Sequence, residues 1–246
     1  MAKIKDIIAK LEAVAPIENQ EEWDNSGWQV YTGEKNANNV LISLNITENV
    51  VDQAIKNNCD LIISHHPVFF KPIKNIKNKA IIKAIKNNIQ IYSAHTNFDK
   101  AINGTTQTLV KKLEKVLGLT KQKTINGFVS YATLKEPLST SEFCNSIKKA
   151  LNLKVIKIAK PCIEIKRIAI CAGAGADFIN ELATYNVDCF ITSDIKYHQA
   201  LDCNFMTVDV GHFESEVISL ESIKNIITMS NLNIILSEEE PLFEMV

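Results

Sequence analysis

The chain lacks most of the features that would place it at a glance. Among its 246 residues no stretch approaches the roughly 20 consecutive apolar residues of a membrane-spanning helix. The N-terminal MAKIKDIIAKLEAVAP has no continuous apolar core and no small-residue cleavage site, so it does not read as a signal peptide. Ile4, Ile7, Ile8, Leu11 and Val14 recur there at helical spacing, and Pro16 stops the helix. No excess of charge exists either. Lys and Arg number 27 against 28 Asp and Glu, which leaves a net charge of −1 and no electrostatic grip on nucleic acid or a membrane surface. None of the six cysteines forms a Cys-x-x-Cys pair, and several lie inside apolar runs. That pattern reads as reduced, structural thiols and predicts a cytoplasmic location. No Gly-x-Ser-x-Gly elbow and no cysteine placed as a nucleophile is present, which sets aside serine- and cysteine-hydrolase chemistry.

What is present is an alternation of apolar runs and helical stretches. Strands are predicted over 28–31, 40–44, 60–64 and 89–94, with helices over 48–57, 78–87 and 104–117. The strands are apolar without alternation, as expected when helices cover both faces of a sheet. Gly118 and the polar stretch TKQKTING at 120–127 read as a boundary. Beyond it, strands are predicted over 128–134, 153–158, 165–171 and 189–193, with helices over 139–150 and 176–186. A strand at 206–210, a helix at 213–229 and a tail strand at 232–237 complete the chain. The expected fold class is α/β, with two lobes of mixed sheet flanked by helices. Residues 1–122 with 206–246 are expected to form a metal-binding lobe, and 123–205 the second lobe.

The chemistry gathers in the histidines. All five fall at or just after the end of an apolar run: His65 and His66 in LIISHHP, His95 after IQIYSA, His198 after CFITSD and His212 after MTVDVG. Ligand sites in open α/β sheets collect outside the carboxyl ends of strands, and imidazole is the commonest metal-binding side chain. Consecutive side chains on a strand point to opposite faces, so His65 and His66 are poorly placed to grip one ion but can diverge toward two. Asp99 lies four residues after His95. It reads either as a helix cap or as a carboxylate able to bridge two cations, and Asn103 is the better cap by position. His212 and Glu216 share one helical face, which lets both reach the same ion. The alternative for that pair is a solvated helix start. Nitrogen and oxygen donors alone fit two divalent ions of Zn, Fe, Mn, Co or Ni without discriminating among them.

Asp194 and His198 have the same i,i+4 spacing. They read as a substrate contact or an acid–base pair, or as a helix-start carboxylate with a surface histidine. His95 is a ligand, a proton shuttle or a pocket wall. The turn Ala172-Gly173-Ala174-Gly175 cradles phosphate or is simply tight; it lacks the third glycine of the dinucleotide fingerprint and the P-loop lysine. Trp23-Asp24-Asn25-Ser26-Gly27 reads as a turn before the first strand.

Taken together, EEWDNSGWQV at 21–30, SHHPVFF at 64–70, AHTNFD at 94–99, TSDIKYHQA at 192–200 and GHFESE at 211–216 resemble the Nif-three-like family of dinuclear-metal-centre proteins, often labelled GTP cyclohydrolase I type 2 homologues. The match spans nearly the whole chain in the family's order. Trp28 and Phe98 stand where leucine is common in the family, and Ser193 where glycine is. The resemblance implies a dimetal centre on His65, His66, Asp99, His212 and Glu216, with Asp99 bridging, in a ring-shaped homohexamer. It implies a metal-dependent hydrolase of a nucleotide or another small molecule, in which His95, His198 and Asp194 serve catalysis. The alternatives are a metal carrier or regulatory protein and a scaffold with structural metals.

Overall fold

Three of the apolar runs in the first hundred residues become the parallel centre of one sheet. In the computed structural model, which describes residues 1–243, Asn39–Ser43, Leu61–Ser64 and Gln90–Ser93 pair in parallel. Asn233–Leu236 adds in parallel on one edge and Gly27–Val30 antiparallel on the other. Ser43, Ser64 and Ser93 are register partners, so the three central strands end side by side. The chain then leaves each strand from the same edge, and the functional residues of this unit follow there. Helix Ile4–Glu12 buries Ile4, Ile7, Ile8 and Leu11, the stripe its sequence spacing predicts. Helices Glu48–Lys56 and Lys79–Lys86 are capped by Thr47 and Asn78, whose side chains accept from the Val50 and Ile81 amides. Their buried faces pack with Leu41, Ile62 and Ile91.

The second sheet has six strands in the order Leu119–Ile125, Val129–Ser139, Glu164–Ile170, Cys189–Thr192, Met206–Asp209 and Lys157–Ala159. Its three middle strands, Glu164–Ile170, Cys189–Thr192 and Met206–Asp209, pair in parallel, and the flanking strands run antiparallel. Ile168 and Ile170 face a core shared with helices Thr105–Leu117 and Thr140–Leu151; Ala169 and Phe190 face a second core with Ile179 and Leu182. Both faces are covered, which explains strands without alternation.

The two compact units are Met1–Gly104 with Ser219–Glu240, and Thr105–Ile218 with residues 241–243. These bounds differ from the 122 and 206 expected. The apolar stripe Leu109, Val110, Leu113 and Leu117 packs into the second core, and Met206–Asp209 is hydrogen-bonded to Cys189–Thr192. Helix 105–117 and residues 206–218 therefore belong to the second unit, and His212 and Glu216 with them. The polar stretch 120–127 is not a linker. It supplies most of a strand and its turn, where Asn126 and Gly127 take φ of 46° and 85°. An Asn-Gly pair with both φ positive is a strong hairpin signal. Helix 213–229 is broken into His212–Glu216, a 3-10 turn at Val217–Ser219 and Leu220–Ile227, with the break where the chain passes between units. Helix 176–186 shortens to a 3-10 turn Gly175–Phe178 and Ile179–Leu182, and strand 153–158 shifts to Lys157–Ala159. Among the described residues no helix is long and apolar enough to cross a membrane.

Candidate metal-binding clusters

In the first unit, the residues that leave the aligned strand ends converge. His65 and His66 extend the ladder for two more residues, their amides donating to Ser43 O at 3.0 Å and Leu44 O at 2.9 Å. The Ala94 amide donates to Ser64 O at 2.9 Å, which brings His95 to the same edge. His65, His66 and His95 each offer a ring nitrogen within 4.8 Å of the other two. Asp99 ends the short helix Thr96–Asp99, and its Oδ1 lies 3.5 Å from His65 Nε2.

All three rings are held through Nδ1. His65 Nδ1 donates to Ala94 O at 2.8 Å. His66 Nδ1 donates to Asn45 Oδ1 at 2.9 Å. The Asn45 amide orientation is itself fixed, because Asn45 Nδ2 donates to Glu239 Oε1 at 3.2 Å and the Asn45 backbone amide donates to the same oxygen at 3.0 Å. His95 Nδ1 donates to Asp24 Oδ1 at 2.8 Å. A proton on Nδ1 leaves the Nε2 lone pair as the donor, which is the tautomer and second-partner pattern of metal-bound histidine. The donor set therefore fits a divalent cation.

Asp24 was read in the sequence only as part of a turn, and it does more. Its fully buried carboxylate also accepts from the Asn25 amide at 2.7 Å, Ser26 Oγ at 2.9 Å, the Thr96 amide at 3.0 Å and Thr96 Oγ1 at 2.5 Å. Burial pushes this carboxyl up, but the hydrogen bonds from His95 and Thr96 and the charge of His95 outweigh it and hold it well below the usual range. Asn45 and Glu239 were missed as well. The signal available was a lone polar residue directly after the apolar run VLISL.

In the second unit, His212 and Glu216 sit on helix His212–Glu216 and meet as the spacing predicts, Nε2 to Oε2 at 3.0 Å. His212 Nδ1 donates to Asp194 Oδ2 at 2.7 Å. Burial lowers the imidazole pKa, but the hydrogen bond and charge of buried Glu216, then those of Asp194, outweigh it and lift the group to about 9. Asp194 has φ of 55° and lies outside helix Tyr197–Asp202, so the expected i,i+4 pair with His198 on one helix does not form. Asp194 instead orients His212. His198 is exposed, its ring 5.4 Å from that of Tyr197.

The glycine-rich turn is a tight turn. The Gly173 amide donates to Ser215 Oγ at 2.9 Å and the Gly175 amide to Thr192 Oγ1 at 3.0 Å, so neither is turned toward a phosphate. Gly173 has φ of 65°, and a Cβ there would lie 2.0 Å from Glu216 Oε1. The turn makes room for the Glu216 carboxylate.

Residues 2–241 match the DUF34/NIF3 family profile (NGG1p interacting factor 3). The chain belongs to this family. Relatives of this NIF3-family chain include a GTP cyclohydrolase 1 type 2 homolog of Campylobacter jejuni, 37% identical over 224 residues with 87% of each chain covered. A GTP cyclohydrolase 1 type 2 of Helicobacter pylori is 33% identical over 229 residues, with 88% of each covered. Among solved structures, a Bacillus cereus protein related to NIF3 superposes with a TM-score of 0.87 at 22% identity over 99% of both chains. Reduced HcgD from Methanocaldococcus jannaschii gives 0.83 at 28% identity, over 95% of this chain and 97% of that one.

Proposed function

We propose that this NIF3-family protein binds two divalent cations, which His65, His66 and Asp99 of the first unit and His212 and Glu216 of the second would hold, and that it hydrolyses a nucleotide or another small molecule. The observation that carries the reading is the set of three histidines whose Nδ1 atoms are each committed to a fixed acceptor while their ring nitrogens gather within 4.8 Å. Such pre-set tautomers favour a cation over a packing role. The relatives' name, GTP cyclohydrolase 1 type 2, supports a purine nucleotide as the first substrate to try. When bound, the cations would supply Lewis acidity for activating water and offsetting developing negative charge. Within the chain, His95 takes a proton on Nε2 and returns it, and the buried Asp24 carboxylate stabilises the ring while it is charged. Asp194 keeps His212 in the tautomer that presents Nε2. We further propose that the chain assembles as a homohexamer, which light scattering on the eluting protein tests.

Metal analysis of the purified protein, followed by turnover of a nucleotide panel, tests the function. Two ions per chain and turnover abolished by His66→Ala with Glu216→Ala are expected. Turnover unchanged in that double variant overturns the reading. Two bound ions without turnover of any nucleotide removes the hydrolase and leaves metal binding.

A further inference from the structure

Beside the histidine cluster of the first unit, two large aromatic rings stand in solvent. Trp23 is 59% exposed and Phe70 48%. Their ring centroids lie 6.4 Å apart at an interplanar angle of 32°. Both approach His95, Trp23 at 6.0 Å and Phe70 at 5.7 Å. His95 in turn lies 5.2 Å from His65 and 5.6 Å from His66. The exposed rings are thus the outer part of an aromatic path that ends at the candidate metal ligands.

The two rings come from segments tied to each other. Asn25 Nδ2 donates to Phe69 O at 2.6 Å, and Gln29 Oε1 accepts from the Val68 amide at 3.2 Å and the Phe69 amide at 3.4 Å. Those bonds hold the backbone beside Trp23 and the backbone beside Phe70 in fixed relation. Beyond them the two rings touch each other and His95 yet stay about half in solvent. Exposed aromatic rings held in place next to polar, site-forming groups mark a binding surface.

The segment that follows Phe70 has one sign of charge. Residues 67–79, PVFFKPIKNIKNK, contain four lysines and no acid. Lys71, Lys74, Lys77 and Lys79 are all exposed, and none forms an ion pair among the described residues. A lysine ammonium is a flexible point charge suited to a phosphate group. On the Trp23 side, Glu21 is already paired with Lys100 and Asp24 is consumed by His95 and Thr96, which leaves Glu22 as the exposed acid.

We infer that Trp23 and Phe70 form a stacking rim for a heteroaromatic base and that Lys71 and Lys74 receive its phosphate, so that the substrate of the proposed centre is a nucleotide held by its ring. The inference deepens the proposed hydrolase reading and rests on it for the word substrate; the binding itself does not. A flat ring between two others needs about 7 Å, two contacts of about 3.5 Å each. The rings already stand 6.4 Å apart, so a base is admitted by a small swing of exposed side chains. Stacking is tolerant of base identity. The rim therefore selects for a ring, and the residues near the ions would choose among bases.

The chain has two tryptophans, which makes the test direct. Trp28 packs edge-on against Tyr92, its centroid 5.2 Å away, outside the rim. In a Trp28→Phe background the emission of Trp23 reports on the rim alone. AMP, adenosine and ribose 5-phosphate are titrated into metal-free and metal-loaded full-length protein. Quenching by AMP and adenosine but not by ribose 5-phosphate is expected, with AMP the tighter. Phe70→Ala should weaken AMP about tenfold, which is about 1.4 kcal/mol. Lys71→Glu with Lys74→Glu should remove the preference of AMP over adenosine while circular dichroism stays unchanged. No quenching at millimolar AMP, or equal quenching by ribose 5-phosphate, overturns the inference. So does Trp23 emission that depends on protein concentration and ignores nucleotide, which would make the rim a contact between copies. Metal binding and turnover without quenching leave the hydrolase reading standing and remove this one. Quenching without metal binding does the reverse.

Discussion

Replacing Asp24 by asparagine changes one atom and should disturb both stability and the orientation of His95. Five donors point at the Asp24 carboxylate. The Asn25 amide and His95 Nδ1 reach Oδ1, while Ser26 Oγ, the Thr96 amide and Thr96 Oγ1 reach Oδ2. An asparagine that keeps its oxygen toward His95 turns its NH2 toward the second group. The two hydroxyls can rotate and accept, but the Thr96 amide cannot, and a buried N–H is left facing another donor. That unmet donor costs about 1–3 kcal/mol, and replacing charge-assisted bonds by neutral ones adds about 1 kcal/mol. The sum is about 2–4 kcal/mol. For a chain of this size it lowers Tm by about 5–15 °C. The opposite amide orientation leaves the Asn25 amide unmet and drives the His95 proton from Nδ1 to Nε2, which removes the lone pair from the cluster. Either way, His95 loses the charged partner that its proton transfer relies on, and turnover should fall about 100-fold or more. Thermal melts, long-range ¹⁵N spectra of the imidazoles and turnover of the metal-loaded protein read the three effects. A variant that melts with the wild type and turns over equally well would refute the argument, because it would show that the carboxylate neither supports the turn nor fixes the ring.

Other expectations follow from single contacts. Gly173→Ala should displace the Glu216 carboxylate, since its Cβ would fall 2.0 Å from Oε1, and the strain of φ 65° adds about 1 kcal/mol; a Tm drop together with reduced metal stoichiometry checks it. Asp188 accepts from the Lys166 and Arg167 amides and from the Arg167 guanidinium. Burial raises its pKa, but the Arg167 and Lys166 bonds and the guanidinium charge outweigh it, so the folded value lies below the unfolded one. The stabilisation it brings is present above the unfolded value near 3.9 and is lost as pH falls through the folded value. Urea melts should accordingly show that Asp188→Asn destabilises at pH 7 far more than at pH 2. The buried thiols of Cys59, Cys171, Cys189 and Cys203 should resist a disulfide reagent in native protein and react fully after denaturation; burial pushes the Cys59 thiol up to about 12.

Much of the fold could be read from the chain because buried parallel strands and amphipathic helices leave plain periodic marks. The runs near 40–44, 60–64 and 89–94 are strands within a residue of the expected bounds. The pairing of His212 with Glu216 follows from helical geometry alone. What escaped was set by long-range contact. TKQKTING is polar because it supplies a hairpin strand and its turn, and polarity alone looks like a linker. The Asp194–His198 spacing suggested a helical pair, yet a positive φ at Asp194 ends that geometry before the helix begins. Asp24, Asn45 and Glu239 lie 71, 21 and 173 positions from the histidines they orient or support, and no local pattern marks such partners.

Glu239 ties the cluster to a distant part of the sequence. The first unit is interrupted in sequence by the second, and the segment 219–240 returns to it after residues 105–218. Its strand Asn233–Leu236 pairs beside Asn39–Ser43, and Glu239 then holds the Asn45 side chain that fixes His66. His65 and His95 obtain their anchors from residues 94 and 24, which precede the second unit. His66 alone of the three depends on a segment that follows that unit. Glu239→Ala should therefore loosen the His66 ring while His65 and His95 keep their anchors, so one imidazole of the cluster is governed from the far side of the second unit in sequence.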